Sequence, residues 1–195
     1  MRLSYDILMA DAGATGFRPE ILEKSELLLD LLQNLAEDPF LGSRLALKGG
    51  TALNLFVFNV PRLSLDADLN YIGSADVTIM EAERPRLEAA IRNVCRREGF
   101  DMHEVPDKHA GGKWHLRYMS ALGGGAELQL DVNFMLRVPL WPVATWDSRP
   151  LGHSAAHRVQ VLDINELAAG KLAALFSRHA SRALASPSPP RLPRQ

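Results

Sequence analysis

The sequence predicts an α+β fold, and three observations carry that expectation. Apolar residues recur at helical spacing over Pro19–Leu35, Asp76–Glu98 and Leu162–Arg178. Polar and apolar residues alternate with a period of two over 62–72, Trp114–Tyr118 and Glu127–Phe134, the signature of half-buried strands. Gly123-Gly124-Gly125 separates the last two runs, where a hairpin turn belongs.

Taken in order, the first helix places Ile21, Leu22, Leu28, Leu29, Leu32 and Leu35 on one side, with Glu20, Glu23, Lys24 and Glu26 away from it. Asp38-Pro39-Phe40-Leu41-Gly42 ends that helix. A short apolar run, Leu45-Ala46-Leu47, enters Lys48-Gly49-Gly50-Thr51, and Ala52–Phe58 reads as the start of a second helix that Pro61 interrupts. The helix over Asp76–Glu98 offers Ile79, Leu87, Ile91 and Val94 to the core. Pro139–Pro150 reads as irregular, and the last helix takes Asp163 or Asn165 as its N-cap. From Ser186 the Pro/Ser-rich composition cannot hold a packed element.

Composition narrows the function. With 22 Lys+Arg against 23 Asp+Glu, the net charge is −1, so affinity for nucleic acid must come from a local patch and not from the overall field. Cys95 is the single cysteine, which rules out an internal disulfide and fits a reducing compartment. The first residues lack the apolar core of a signal peptide, and no run approaches the roughly 20 apolar residues of a membrane span. The expected location is the cytoplasm. Arg84, Arg86, Arg92, Arg96 and Arg97 cluster on one helix and read as a solvated face before they read as an RNA-binding one. Trp114, Trp141 and Trp146 are expected to pack. His103, His109 and His115 are too scattered for zinc.

The chemistry is concentrated in three places. Asp66 and Asp68 stand two apart on a strand and so project from one face. Side-by-side carboxylates repel unless a cation lies between them, and Mg²⁺ is the cation that shares its shell with phosphates. A polar strand face in plain solvent is the alternative for an isolated Asp-x-Asp. Upstream, Gly49 and Gly50 allow close approach of backbone to phosphate, Thr51 adds a hydroxyl and Lys48 a cation, read as structural before catalytic. Asp131 is the third acid, on another alternating strand, and a pair of Mg²⁺ ions needs such a further ligand. Glu127 competes for that place.

Leu47-Lys48-Gly49-Gly50-Thr51-Ala52-Leu53 followed by Arg62-Leu63-Ser64-Leu65-Asp66-Ala67-Asp68-Leu69 resembles the signature of the AbiEii/AbiGii toxin family, within the DNA polymerase β-like nucleotidyltransferase superfamily. Asn165-Glu166-Leu167-Ala168-Ala169-Gly170-Lys171-Leu172 resembles the family's next motif, a helix with one functional lysine, here Lys171. The resemblance spans about Leu45–Arg182 and implies a mixed sheet flanked by helices, followed by a helical C-terminal part. The expected organisation is a nucleotidyltransferase-like domain over 1–160, the start of the helical part over 161–185 and a disordered tail over 186–195. The activity it implies is Mg²⁺-dependent transfer of a nucleoside monophosphate from a nucleoside triphosphate to an RNA acceptor, the tRNA 3′ end first. The setting it implies is a toxin–antitoxin, abortive-infection system with an AbiEi-like winged-helix antitoxin as partner.

Ala183 stands where the family pattern places an aspartate, and the chain then enters the Pro/Ser tail, as though truncated. The expectation is a chain that binds nucleotide and transfers it weakly. Two other functions stay open: a nucleotide- or antitoxin-binding protein without turnover, and a transferase acting on a protein hydroxyl.

Overall fold

The computed structural model describes residues 3–58, 63–105 and 111–184, with 177–184 by backbone alone. The tail from Ser186 lies outside the described residues. Helix α1 covers Tyr5–Thr15 and α2 Pro19–Glu37; strand β1, Leu45–Leu47, leads into the short helix α3, Gly49–Thr51, which continues as a π-helical stretch, Ala52–Val57. Strand β2 is Asp66–Tyr71, α4 Val77–Arg97, β3 Asp101–Glu104, β4 Gly111–Met119 and β5 Gly125–Asn133. Strands β6, Ala144–Trp146, and β7, Val159–Val161, precede α5, Ile164–Leu184.

Among the described residues seven strands form one sheet in the order β3-β4-β5-β2-β1-β7-β6. It is mixed: β2 runs parallel to β5 and β1 parallel to β7, while the remaining pairs are antiparallel. The expected α+β class with a mixed, helix-flanked sheet is what forms. Strand β7 straddles residue 160, so the sheet reaches the start of the helical part.

Register separates the two faces of the sheet. Leu130 is the register partner of both Ala67 on β2 and Trp114 on β4, and all three are buried, as are the pairs Leu69–Val132 and Leu116–Leu128. Leu28, Leu29, Leu32 and Leu35 of α2 and Leu87, Ile91 and Val94 of α4 join them in one core. Side chains one position along each strand turn to the other face. Burial of the apolar face is the main driving term, at roughly 25 cal/mol per Å² of apolar surface. A half-buried polar network ties α4 to the sheet: Arg44 meets Glu83 through Nη2–Oε1 at 2.9 Å and Nε–Oε2 at 3.0 Å, and the Tyr71 hydroxyl donates to Glu83 Oε2 at 2.7 Å.

Several elements differ from the sequence expectation. Helix α1 and strands β3, β6 and β7 are too short or too weakly patterned to stand out, and β6 lies inside the stretch read as irregular. In α4, Met80 is buried and Ile79 is 50% exposed, because Asp76 caps the helix by accepting from the Thr78 and Ile79 N–H groups and so fixes its rotation. At the last helix it is Asp163 Oδ1 that accepts from the Asn165 N–H, at 2.8 Å. Trp114 is in the core, but Trp141 and Trp146 are 43% and 42% exposed. Arg84 and Arg86 are less free than a solvated face implies: each guanidinium stacks on a ring, of Phe134 at 4.5 Å and of Phe40 at 4.0 Å. No helix among the described residues is long and apolar enough to cross a membrane.

One core group is out of keeping with its surroundings. Glu26 of α2 is fully buried, and neither of its carboxylate oxygens has a hydrogen-bond partner. Burial, reinforced by the Asp11 carboxylate and partly offset by His153, pushes its carboxyl up to about 7. A pKa that is higher folded than unfolded means that the protonated form favours folding. That contribution is complete below the ordinary 4.5 and is lost as pH rises to about 7. Glu26→Gln, uncharged throughout, is therefore expected to melt higher than the parent at pH above 7 and equally with it below 4.5, read by thermal melts across that range. Parallel melting curves at every pH would show that Glu26 does not titrate with folding.

Candidate active site

The site begins where β1 ends. Lys48 leaves the strand with its N–H donating to the Asp68 carbonyl at 2.9 Å. Gly49 then takes φ +74°, a conformation that L side chains rarely adopt, and a Cβ there would overlap the Asp68 carboxylate. The glycine is thus required twice, by its own backbone and by the acid packed on it. At Gly50 a Cβ would meet the Ser64 hydroxyl at 2.8 Å. Thr51 is placed differently from the sequence reading. It is fully buried and its hydroxyl donates to the Asp66 carbonyl at 2.6 Å, so it locks α3 to β2 instead of presenting a hydroxyl to phosphate.

The acids come from the open face of the sheet. Asp66 is exposed at the start of β2 and Asp68 is half-buried two residues on. Asp131 is the register partner of Asp68 across the parallel β2–β5 pair. That register decides between Asp131 and Glu127. Glu127 lies four residues earlier, roughly 13 Å along the strand, and is bound to His115 Nδ1 at 3.2 Å. Lys113 of β4 pairs with Asp131 in turn, Nζ to Oδ2 at 3.9 Å. A row of charge, Lys113–Asp131–Asp68–Lys48, therefore crosses four strands, cation at each end and acid in the middle.

The electrostatics follow from that row. Burial and then the Asp131 carboxylate push the Asp68 carboxyl up to about 6, against the pull of Lys48. Burial lowers the Lys48 ammonium, offset by Asp68 and Asp131. Asp131 Oδ1 is buried without a hydrogen-bond partner, while Oδ2 accepts from Gln129 Nε2 at 3.1 Å. Two apposed acids, one with an orphan oxygen, are a donor set of hard oxygens that suits Mg²⁺. Among the described residues no three His, Cys, Asp or Glu side chains converge enough to hold a metal ion by themselves. Asp66, Asp68 and Asp131 are therefore not a preassembled cage, and the remaining ligands of any ion must come from substrate and water.

Helix α5 closes the site. A cavity of about 360 Å³ is lined by Lys48, Gly49, Gly50 and Asp68 on one side and by Glu166 and Lys171 on the other. Lys171, remote in sequence, thus lines the same cavity as the glycine loop and Asp68 of β2. Glu166 Oε2 accepts from the Leu140 and Trp141 N–H groups at 3.0 and 3.3 Å, which fixes the root of α5. Asn70 forms part of the floor, 4% exposed and with an unpartnered Oδ1. Thr51, Asp66 and Asp131 do not line this cavity. Ala183 is described by backbone alone, within α5. A larger cavity of about 640 Å³ lies across the molecule near Gln33, Asp38, Thr145 and Arg158. Its two acids are engaged locally, Glu37 Oε1 accepting from Gln33 Nε2 and Asp38 Oδ1 from the Phe40 and Leu41 N–H groups, and Gln160 donates to the Gly42 carbonyl.

Lys113, Asn70 and Glu166 were missed as site residues in the sequence. The alternation of Lys113, His115 and Arg117 with Trp114, Leu116 and Tyr118 puts Lys113 on the polar face, but the hairpin is centred on Leu122 and not on the glycines, so counting symmetrically from Gly124 sets Arg117 opposite Asp131 in place of Lys113.

Comparison with known proteins bears on the fold and the family. No curated protein matches the sequence. Among solved structures the chain is similar to MenT4, a nucleotidyltransferase toxin from Mycobacterium tuberculosis, with a TM-score of 0.57 and 21% identity over 85% of this chain and 57% of that one. It is also similar to JHP933 from Helicobacter pylori, with a TM-score of 0.54 and 18% identity over 80% of this chain and 57% of that one. The chain thus spans little more than half the length of each, and at these identities the likeness shows the fold. The model of the AbiEii nucleotidyl transferase toxins of type IV toxin–antitoxin systems matches residues 30–191, a span that takes in the glycine loop, the diacid strand and Lys171, and the chain therefore belongs to that family.

Proposed function

We propose that this chain is the nucleotide-binding and transferring part of a toxin, moving a nucleoside monophosphate from a Mg²⁺-bound nucleoside triphosphate to an RNA acceptor in the cytoplasm, with the tRNA 3′ end as the first acceptor to examine. The observation that carries the reading is the cavity in which Gly49, Gly50, Asp68 and Lys171 face one another. An antitoxin counterpart follows from a type IV system, and an AbiEi-like winged-helix protein is the form proposed for it.

Each residue then has a task. Gly49 and Gly50 let the triphosphate lie against backbone, since no Cβ stands in the way. Asp66 and Asp68 would hold the metal ion, with Asp131 available to a second; the metal supplies charge neutralisation on the phosphates. Lys171 offsets charge developing on the phosphoryl oxygens from the side opposite the acids, and Lys48 balances Asp68 before substrate arrives. Asp131 would complete the site and help activate the attacking hydroxyl. The α-phosphorus gains a bond to the acceptor oxygen and loses its bond to the leaving pyrophosphate. Positioning and electrostatics supply most of the rate in such a reaction, so the residues that fix Lys171 and Asp131 matter as much as the acids.

The test is incubation with each labelled nucleoside triphosphate, Mg²⁺ and total tRNA, followed by a gel that resolves RNA and protein. Label on RNA that depends on Mg²⁺ is the expected result. Label on protein alone redirects the function to a protein hydroxyl. Mg²⁺-dependent binding of nucleotide without transfer to either would reduce the chain to a binding protein.

A further inference from the structure

Strand β2 carries a third polar side chain on its open face. Asn70 follows Asp66 and Asp68 at the same spacing of two, which sets it roughly 7 Å beyond Asp68 along the strand. Asparagine is a poor strand residue, yet here it is 4% exposed, between the buried Leu69 and Tyr71. Its Oδ1 is buried and has no hydrogen-bond partner. The register partners on either side supply none. Ala46 on β1 is apolar, and Asn133 on β5 turns its own Oδ1 to the Met135 and Leu136 N–H groups, at 2.8 and 2.9 Å. A buried amide is costly while it stays unpaired, and a ligand that takes up the hydrogen bond removes that cost.

The cavity is divided as a nucleotide is. The glycine loop and Lys171 offer bare backbone and a cation to phosphates, whereas Asn70 shares the cavity with Leu136, Leu162 and Leu167. Leucine side chains suit the faces of a planar base and offer nothing to a phosphate. A carboxamide sets a donor beside an acceptor, which matches the paired donor and acceptor on the edge of a base. The χ2 torsion of asparagine is soft, so a half-turn brings either end of the amide to the cavity that the side chain lines. We infer that Asn70 is the residue by which the site selects its nucleoside triphosphate, through hydrogen bonds from its amide to the edge of the base. The inference rests on the nucleotide-binding reading proposed above. A purely structural role is the weaker alternative, because an amide kept to hold the fold together is bonded to what it holds, and the Asn70 Oδ1 is bonded to nothing.

The test is calorimetric titration of the chain with the Mg²⁺ complexes of ATP, GTP, CTP and UTP. The parent is expected to favour one base by about tenfold or more, within the range of one good amide–base pair. Asn70→Leu keeps the branched outline at Cγ and removes both polar atoms, so its affinity for the favoured nucleotide should fall to within about threefold of the other three, which themselves change little. Its melting temperature should stay level or rise, because an unpaired buried amide gives way to an apolar group. Asn70→Ala should lose the preference in the same way. An analogue of the favoured nucleotide without its exocyclic base group, titrated into the parent, probes the same contact with the chain unchanged and should bind about tenfold more weakly. A parent that binds all four nucleotides alike overturns the inference and leaves the proposed function standing. So does an Asn70→Leu chain that keeps the preference, or one that weakens all four equally, which would place the amide on the sugar or phosphates that every nucleotide shares. A parent that binds none of the four overturns the proposed function and this inference with it.

Discussion

Asp68→Asn is expected to cost at least about a hundredfold in nucleotidyl transfer and, in the same protein, to raise the melting temperature at neutral pH. The loss follows from the place of Asp68 in the site: it packs on Gly49, lines the cavity with Lys171 and lies in register with Asp131. Changes to groups that merely support a metal ligand cost about 10–100-fold, so loss of a ligand itself lies at or beyond the upper end. The gain follows from what the folded chain pays without substrate. Burial and Asp131 raise the Asp68 carboxyl from 3.8 to about 6, so the ionised form disfavours folding at neutral pH and an amide removes that strain. The two readouts, a transfer assay and a thermal melt at neutral pH, should move in opposite directions. A variant that is both less stable and inactive would mean that Asp68 is a structural residue of β2.

Gly49→Ala should damage the fold and the site together. At φ +74° a non-glycine residue costs about 1–2 kcal/mol, and here the added methyl also meets the Asp68 side chain, whose Cβ and Cγ stand 3.1 Å from its ideal position. At roughly 2–4 °C per kcal/mol for a chain of this size, the melting temperature should fall by about 2–8 °C, and Mg²⁺-dependent nucleotide binding should be lost. Gly50→Ala is the contrast. Its methyl meets the Ser64 hydroxyl at 2.8 Å, which can turn away, and the Ser64 Cβ at 3.3 Å, which has to give by only a few tenths of an ångström. Scanning fluorimetry and a nucleotide titration check both variants, and equal behaviour at the two positions would contradict the account of the loop.

The sequence carried the parts of this site that depend on local geometry. Alternation along β2 sends Asp66 and Asp68 to one face whatever the rest of the chain does, and two glycines after an apolar run mark a place where backbone must be approached closely. What it did not carry is set by pairing. The choice of Asp131 over Glu127 needed the parallel β2–β5 register, which spans α4, β3 and β4 and leaves no trace in either strand. The fate of Thr51 needed the Asp66 carbonyl, a group supplied by a neighbouring strand. Strands β6 and β7 are three residues each, below the length at which alternation can be recognised, yet they extend the sheet toward α5. The unpartnered Glu26 looked like one more solvent-side acid of α2, because its burial is imposed by α1 and the loop at Gly152.

Beyond Leu167 every described side chain of α5 through Phe176 is exposed, including Leu172, Leu175 and Phe176. The helix that carries Lys171 is held there by its own backbone hydrogen bonds and by its root at Glu166, with little of the packing that gives protein helices most of their stability. Its opening free energy belongs at the low end of the molecule's range, far below that of the central strands. The nucleotide affinity of the chain is then the intrinsic affinity multiplied by the fraction of molecules in which this helix is wound. On the proposed function, a nucleotide that bridges the glycine loop and Lys171 would wind the helix as it binds, and the helix would order with the ligand instead of ahead of it.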